Sequence, residues 1–256
     1  MYIENFKMNL WQTHQIVWHE IHKDVNILVG INGAGKTTLL NSIYDYYTKF
    51  QYASHKLSAS ATSIARGNWT EIPITYIRSF DVPSNVKKGA SSPLMQSLTN
   101  VVYQNNIRSS FFDYRMRALN YREESDRVLK RIDHLFFVVN QFFKETQKEI
   151  EFDRENNKLV FRKANGKIVS LEMLSAGEKQ LMLILLTVFL MDEKPHVLLL
   201  DEPELSLHIE WQGKLIKCLR KLNPACQMII TTHSPSVFAS GWQDRLVFMD
   251  EITTKQ

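Results

Sequence analysis

Cysteine is nearly absent from this chain, with Cys218 and Cys226 as the two examples in 256 residues. Two thiols cannot build a disulfide framework, and their spacing is not that of a metal-ligating pair. Both points predict a reduced, cytoplasmic setting. Long apolar runs are missing as well. The longest, LMLILLTVFLM (residues 181–191), falls short of the roughly 20 residues a bilayer-spanning helix needs. It reads as a buried helix, and no membrane partner is expected. The opening MYIENFKMNL is charged and lacks the apolar core of a secretory signal. Neither sign of charge dominates: the formal net charge is +4, which permits a nucleic-acid partner without arguing for one. No internal repeat and no low-complexity tract is found.

What is present is 44% hydrophobic content, enough for one α/β domain with an insertion or for two small domains. Three runs, DVNILVG (24–30), HVLLLDE (196–202) and QMIITTH (227–233), are apolar on both faces and end in polar loops. Central parallel strands have that character. Helical patterns follow the first two, TTLLNSIYDYYTKF (37–50) and EWQGKLIKCLRKL (210–222). Alternating strands and helices predict a doubly wound, mostly parallel sheet with its ligand loops at the C-terminal edge. The segment up to Glu20 is expected to add antiparallel strands.

Residues 81–100, DVPSNVKKGASSPLMQSLTN, are rich in Pro, Ser, Gly and Lys and read as a loop. From about Glu123 to Ile150, Val128, Ile132, Leu135, Phe136, Val139, Phe142 and Phe143 recur at helical spacing. NNKLVFRKANGKIVSLEM (156–173) is expected to form a two-stranded hairpin turned at Asn165-Gly166. The predicted organisation is therefore an N-terminal lobe with a phosphate loop (1–80), a loop and helical lid insertion (81–152), and a C-terminal lobe (153–256).

Gly30 to Thr37, GINGAGKT, satisfies G-x-x-x-x-G-K-[ST] between a predicted strand and a predicted helix. Its glycines let backbone N–H groups converge on phosphates, helped by the positive end of the helix that follows. The predicted nucleotide-binding set is Asn32, Gly33, Ala34, Gly35, Lys36, Thr37 and Thr38. Lys36 is expected to reach the β- and γ-phosphates, and the Thr37 hydroxyl to ligate Mg²⁺. LLLDE (198–202) places Asp201 at a strand end to hold Mg²⁺ and Glu202 to act as general base on water. His233, ending the third strand, is expected to touch the γ-phosphate or orient the water. Ser175 and Glu178 in LSAGEKQ (174–180) make an S-x-x-E capping box. That helix end, with small residues at Ser175, Ala176 and Gly177, exposes N–H groups to a second anion.

The ordered set GINGAGKT, LSAGEKQ, LLLDEPELSLH and TTHSP resembles an ABC-class ATPase of the SMC, RecF and OLD-nuclease branch. The resemblance implies a P-loop NTPase fold of ABC type, with ATP and Mg²⁺ as cofactors. It also implies head-to-tail pairing, with Lys36, Thr37, Asp201, Glu202 and His233 acting in cis and Ser175 and Gly177 in trans. Residues 205–208 match the loop that links the two sites. Ala176 stands where many such signatures have a second glycine. The strand matching the family's Mg²⁺-contacting glutamine, EIPITYIRSF (71–80), contains no glutamine, with Arg78 and Ser79 nearest its place. That role is left unassigned, and Trp11 and Trp18 are the candidates for adenine stacking.

A transporter ATPase is disfavoured, because the signature continues into KQLMLILLTVFLM instead of an arginine-rich helix. The helical pattern in the insertion lasts about 28 residues, roughly 40 Å, which makes a lid and not a coiled-coil arm. No Cys-x-x-Cys hook is present. The GEKQ and DEPELSLH forms resemble those of Septu-type, PARIS-type and retron-associated ATPases of antiphage systems, which act with a separate effector, commonly a nuclease. The short stretch after TTHSP is expected to leave no room for a fused Toprim or HNH nuclease. The expected protein is thus an ATP-hydrolysing homodimer, or higher even oligomer, that controls a separate effector. A SMC- or RecF-like DNA-repair ATPase is the alternative. Arg108, Arg115, Arg117, Arg122, Arg127, Lys130 and Arg131 lie among Phe111, Phe112, Tyr114 and Tyr121, as nucleic-acid sites arrange them. Asp113, Glu123, Glu124, Asp126 and Asp133 are interspersed, which favours a solvated face with internal ion pairs over a DNA groove.

Overall fold

The computed structural model describes residues 2–11, 13–49, 59–64, 73–80, 91–103 and 110–255. Five strands form the central sheet: β3 (Val25–Val29), β5 (Ile74–Ile77), β9 (His196–Asp201), β10 (Cys226–Thr231) and β11 (Leu246–Phe248). Their order is β11-β3-β10-β9-β5, and every adjacent pair is parallel. β9 and β10 are buried at every residue. Side chains on a strand alternate between faces, so one strand feeds two cores. In β9, Leu198 and Leu200 join one apolar cluster, while Val197 and Leu199 join another on the opposite face.

The second cluster lies under a four-stranded antiparallel sheet, β12-β2-β1-β4, with β1 (Tyr2–Leu10), β2 (His14–Trp18), β4 (Ala59–Ile64) and β12 (Thr253–Lys255). The antiparallel opening is as the sequence predicts. Helix α1 (Lys36–Lys49) contributes Leu39, Leu40 and Ile43 to the same cluster. Trp18 is 3% exposed within it, so its ring is a core group, which corrects its candidacy for adenine stacking. Trp11 is 60% exposed at the turn after β1.

The first cluster joins α5 (Ala176–Leu190) and α6 (Ile209–Leu222) to the insertion, which supplies α2 (Pro93–Tyr103), α3 (Phe111–Asn120) and α4 (Ser125–Phe143). Helix α2 corrects the reading of 81–100 as loop. Leu94, Met95, Leu98 and Val102 form its buried face, and the Ser92 hydroxyl accepts from Met95 N–H at its start. The flanking serines and proline describe a cap and a first turn. Residues 81–90 and Arg108 lie outside the described residues. Helix α4 ends at Phe143, short of Ile150, because Lys148–Asp153 pairs as strand β6 with β7 (Lys158–Lys163). β7 in turn pairs with β8 (Ile168–Ser170) around a turn where Gly166 has φ +80°. The expected hairpin is therefore two strands of a three-stranded sheet. Two single-turn helices, α7 (Pro235–Phe238) and α8 (Met249–Ile252), complete the elements used below.

Helices α3 and α4 are fastened to the end of α5 by charge. Asp192, 7% exposed, accepts from the Tyr114 hydroxyl at 2.9 Å and from Arg127 at 2.8 Å, with Arg131 and Arg117 at 3.5 and 3.6 Å. Arg117 also pairs with Glu124, Arg131 pairs with Glu193, and the Arg115 guanidinium lies over the Phe152 ring at 3.7 Å. Burial opposes ionisation of Asp192, but the Tyr114 hydrogen bond and the arginines hold its carboxyl below the usual range. Burial also pushes the Tyr114 phenol up, to about 12. Arg117, Arg127 and Arg131 thus sit in internal ion pairs, with Glu124 as the partner from among the interspersed acids and Asp192 and Glu193, beyond α5, as the others.

Candidate functional site

β3 delivers the chain to Gly30, and the loop from there to Gly35 turns into α1. Gly33 and Gly35 take φ +80° and +93°, the left-handed region that glycine enters without penalty. Gly35 is doubly constrained, since a Cβ there would lie 2.9 Å from Leu10 Cδ2. Asn32, Gly33, Thr37 and Thr38 are exposed, Ala34 is half-buried, and Gly35 and Lys36 are buried. The loop thus opens its backbone to solvent at the free N–H end of α1, where an anion is favoured.

Lys36 is 5% exposed. Its Nζ donates to the carbonyls of Gly30 (2.9 Å) and Ile31 (3.3 Å) and stands 2.8 Å from His233 Nε2. Burial lowers its pKa, opposed by the charges of Glu202, Asp201 and Glu204. His233 Nε2 is also 3.0 Å from Glu202 Oε1. One ring nitrogen cannot accept from Lys36 and donate to Glu202 at once, so the imidazole arbitrates between an amine and a carboxylate.

Asp201 closes the other side. The Thr37 hydroxyl donates to its carboxylate at 3.0–3.1 Å, the Thr231 hydroxyl at 2.7 Å and the Tyr76 hydroxyl at 3.3 Å. Two neighbouring oxygens on an octahedral ion with bonds of about 2.1 Å lie about 3.0 Å apart. The Thr37 and Asp201 oxygens have that separation, so they fit a Mg²⁺ ion. Glu202 turns out of β9 with φ +48°, and its N–H donates to the Thr231 hydroxyl at 3.0 Å. This kink separates the two adjacent carboxylates, one toward Thr37 and one toward His233.

Two further groups were not picked out from the sequence. Tyr76, on β5, supplies the contact to Asp201 from the strand that lacks the family's glutamine. Arg78 lies over the Tyr76 ring at 5.1 Å. Burial and then the Asp201 charge raise the phenol's pKa, so it remains a proton donor. Glu204, 6% exposed, accepts from Thr232 Oγ1 at 2.6 Å and from the His233 N–H at 2.8 Å through Oε1. The signal for Glu204 was the second acid in DEPE, across Pro203 from Glu202.

LSAGEKQ forms the cap its sequence predicts. The Ser175 hydroxyl accepts from Glu178 N–H at 3.3 Å, and Glu178 accepts from Ser175 N–H at 2.9 Å and pairs with Lys148 at 2.5 Å. Ser175 and Ala176 are exposed and Gly177 is buried. A Cβ on Gly177 would sit 2.1 Å from the Ser206 carbonyl oxygen, so the turn lies directly on the loop after Glu204. Gln180 adds a hydrogen bond to the Pro203 carbonyl at 3.0 Å.

Fold and loop geometry together define a chain of the P-loop NTPase α/β fold class. In overall shape the chain is similar to the SMC head bound to the C-winged helix domain of ScpA, with TM-score 0.54 and 14% identity over 94% of this chain and 92% of that one. It is also similar to the SMC head domain of Thermotoga maritima, with TM-score 0.51 and 17% identity over 97% and 94%. Residues 89–239, more than half of the chain, match the family AAA_21, described as "AAA domain, putative AbiEii toxin, Type IV TA system". The chain belongs to this family. Among curated relatives it is 32% identical over 101 residues to the Retron Vc95 probable ATPase of Vibrio cholerae serotype O1 biovar El Tor. That match covers 34% of this chain and 19% of the relative. It is 37% identical over 51 residues to Septu protein PtuA of Bacillus thuringiensis, covering 20% and 13%. These alignments thus span less than a fifth of each relative's length. Among the described residues, no helix is long and apolar enough to cross a membrane.

Proposed function

We propose that this chain binds ATP with Mg²⁺, hydrolyses it, and closes head to tail with a second copy. On this proposal it is the sensor and switch of a multi-protein antiphage defence system, controlling a separate effector, with a nuclease the first candidate. The observation that carries the chemistry is the single cluster of Lys36, Thr37, Asp201, Glu202 and His233. The names of the retron and Septu relatives support the biological role.

In this mechanism the loop backbone from Asn32 to Thr38 and the Lys36 ammonium bind the triphosphate, which takes the place beside Lys36 that His233 occupies. Thr37 and Asp201 would hold Mg²⁺, which neutralises phosphate charge. His233 turns to the γ-phosphate. Glu202 accepts a proton from water as the water oxygen bonds to the γ-phosphorus and the bond to the β-phosphate oxygen breaks, leaving ADP and phosphate. Ser175 and Gly177 of the second copy offer their helix end to the same triphosphate.

The test uses Glu202→Gln and Ser175→Arg chains. Glu202→Gln should bind ATP, hydrolyse it poorly and elute as a dimer. Ser175→Arg should bind ATP as a monomer and lose hydrolysis, and wild-type turnover by that variant would sink the trans assignment. For the biological role, full protection of cells from phage by this chain without a neighbouring gene would sink the separate effector. The DNA-repair alternative draws on the lid's basic residues, but Arg117, Arg127 and Arg131 are engaged inside the molecule.

A further inference from the structure

Glu204 is a buried carboxylate that the mechanism above does not use. Its Oε1 holds both the side chain of Thr232 and the backbone N–H of His233. Its Oε2 is buried and has no hydrogen-bond partner among the described residues. Burying a polar oxygen unpaired costs free energy that an apolar residue would avoid. The carboxylate does, however, fix the segment that carries the imidazole. Thr232 Oγ1 accepts from Ser234 N–H at 3.0 Å, and the Ser234 hydroxyl donates to Gln212 Oε1 at 2.6 Å. Gln212 donates back to the Leu207 carbonyl at 3.0 Å. The backbone of 232–234 is thereby tied to the loop that begins at Glu204.

We infer that Glu204 is a positioning residue for His233. It holds the imidazole between Lys36 and Glu202 and links that position to the loop of residues 205–208, on which Gly177 rests. The inference builds on the ATPase proposal, because the ring it positions is one assigned to hydrolysis. The geometry explains why an acceptor is required at 204: a single oxygen takes both a hydroxyl and a backbone N–H, which a carboxylate or an amide carbonyl can do and an apolar side chain cannot.

A double-mutant cycle with His233 tests this. Glu204→Ala should lower kcat for ATP about 100-fold, the scale of a catalytic group displaced by about 1 Å, with KM little changed. In a His233→Ala chain the same substitution should cost almost nothing further, because the residue it positions is gone. Glu204→Gln should keep most of the rate, since its amide oxygen can still accept both hydrogen bonds. Equal losses from Glu204→Ala in the two backgrounds would overturn the inference. If Glu204→Ala does not fold, Glu204→Asp, which withdraws the carboxylate by one methylene, takes its place with a smaller loss and the same non-additivity. A second readout does not depend on turnover. In ¹⁵N-histidine-labelled, nucleotide-free protein, the His233 ring resonances should shift in Glu204→Ala or Glu204→Asp and hold in Glu204→Gln. Unmoved His233 resonances in the shortened variant would overturn the inference, whereas a wild-type chain inactive on ATP would overturn the ATPase proposal alone.

Discussion

Lys36 Nζ lies 2.8 Å from His233 Nε2, across a sequence separation of 197 residues. The amine proposed to bind phosphate thus rests on an imidazole and two loop carbonyls instead of facing solvent. On the proposed function, binding would exchange these partners for phosphate, and the γ-phosphate would decide whether His233 is compensated. His233→Ala should leave ADP affinity equal or slightly higher, weaken ATP, and lower hydrolysis by about 10²–10³-fold, the scale for one preorganised donor. Calorimetric titration with each nucleotide, beside steady-state turnover, checks the split.

Tyr76→Phe removes one hydroxyl from Asp201 and leaves the ring packing with Tyr44 and Arg78 in place. Asp201 is then less firmly oriented for an ion. The Mg²⁺ concentration for half-maximal hydrolysis should rise roughly three- to tenfold, as expected for a long hydrogen bond to a charged group. Thermal stability should change little. An unchanged Mg²⁺ dependence would show that Tyr76 only packs.

Gly177→Ala sets two effects of opposite sign against each other. Alanine favours a helix over glycine by about 1 kcal/mol. The added methyl would meet a backbone carbonyl at 2.1 Å, and overpacking costs about 1–3 kcal/mol even where side chains can yield. Backbone yields less, so the clash wins and the melting temperature should fall. Denaturant titration of the two proteins measures the balance.

Asp192→Asn should destabilise the junction of α3 and α4 with α5 at neutral pH, at the low end of about 3–5 kcal/mol for breaking a buried ion pair, because Arg127 is half exposed. The native carboxyl's pKa is depressed, so its contribution is complete above the ordinary aspartate value of 3.8 and fades as the pH falls through the lower folded value. The gap in melting temperature between wild type and variant should therefore narrow on acidification past that value. A gap constant with pH would place the effect in packing.

The cluster around Lys36 was legible because its residues sit in short motifs at strand ends, where local spacing fixes position. Glu204 and Tyr76 were not, since their roles arise from register. Tyr76 stands opposite Leu199 on β9, and Glu204 reaches Thr232, 28 residues away and just past the end of β10. Helix α2 was hidden by Ser91, Ser92 and Pro93, which composition assigns to a loop although Leu94, Met95, Leu98 and Val102 keep helical spacing. Strand β6 was absorbed into the pattern of α4 because Ile150 continues the apolar series, and pairing with β7 decided otherwise. The ion pairs of Asp192 join residues 61 to 75 positions apart, beyond any local pattern.

The absence of space between Gly177 and Ser206 also bears on how such a chain can be re-engineered. Residues 174–180 and 203–208 meet backbone to backbone, with Gln180 pinned to Pro203 on the same side. A transplant of the first segment from another ATPase would import a surface cut to a different loop. The two segments, distant in sequence, make one fitted surface, and a graft should carry both in order to seat.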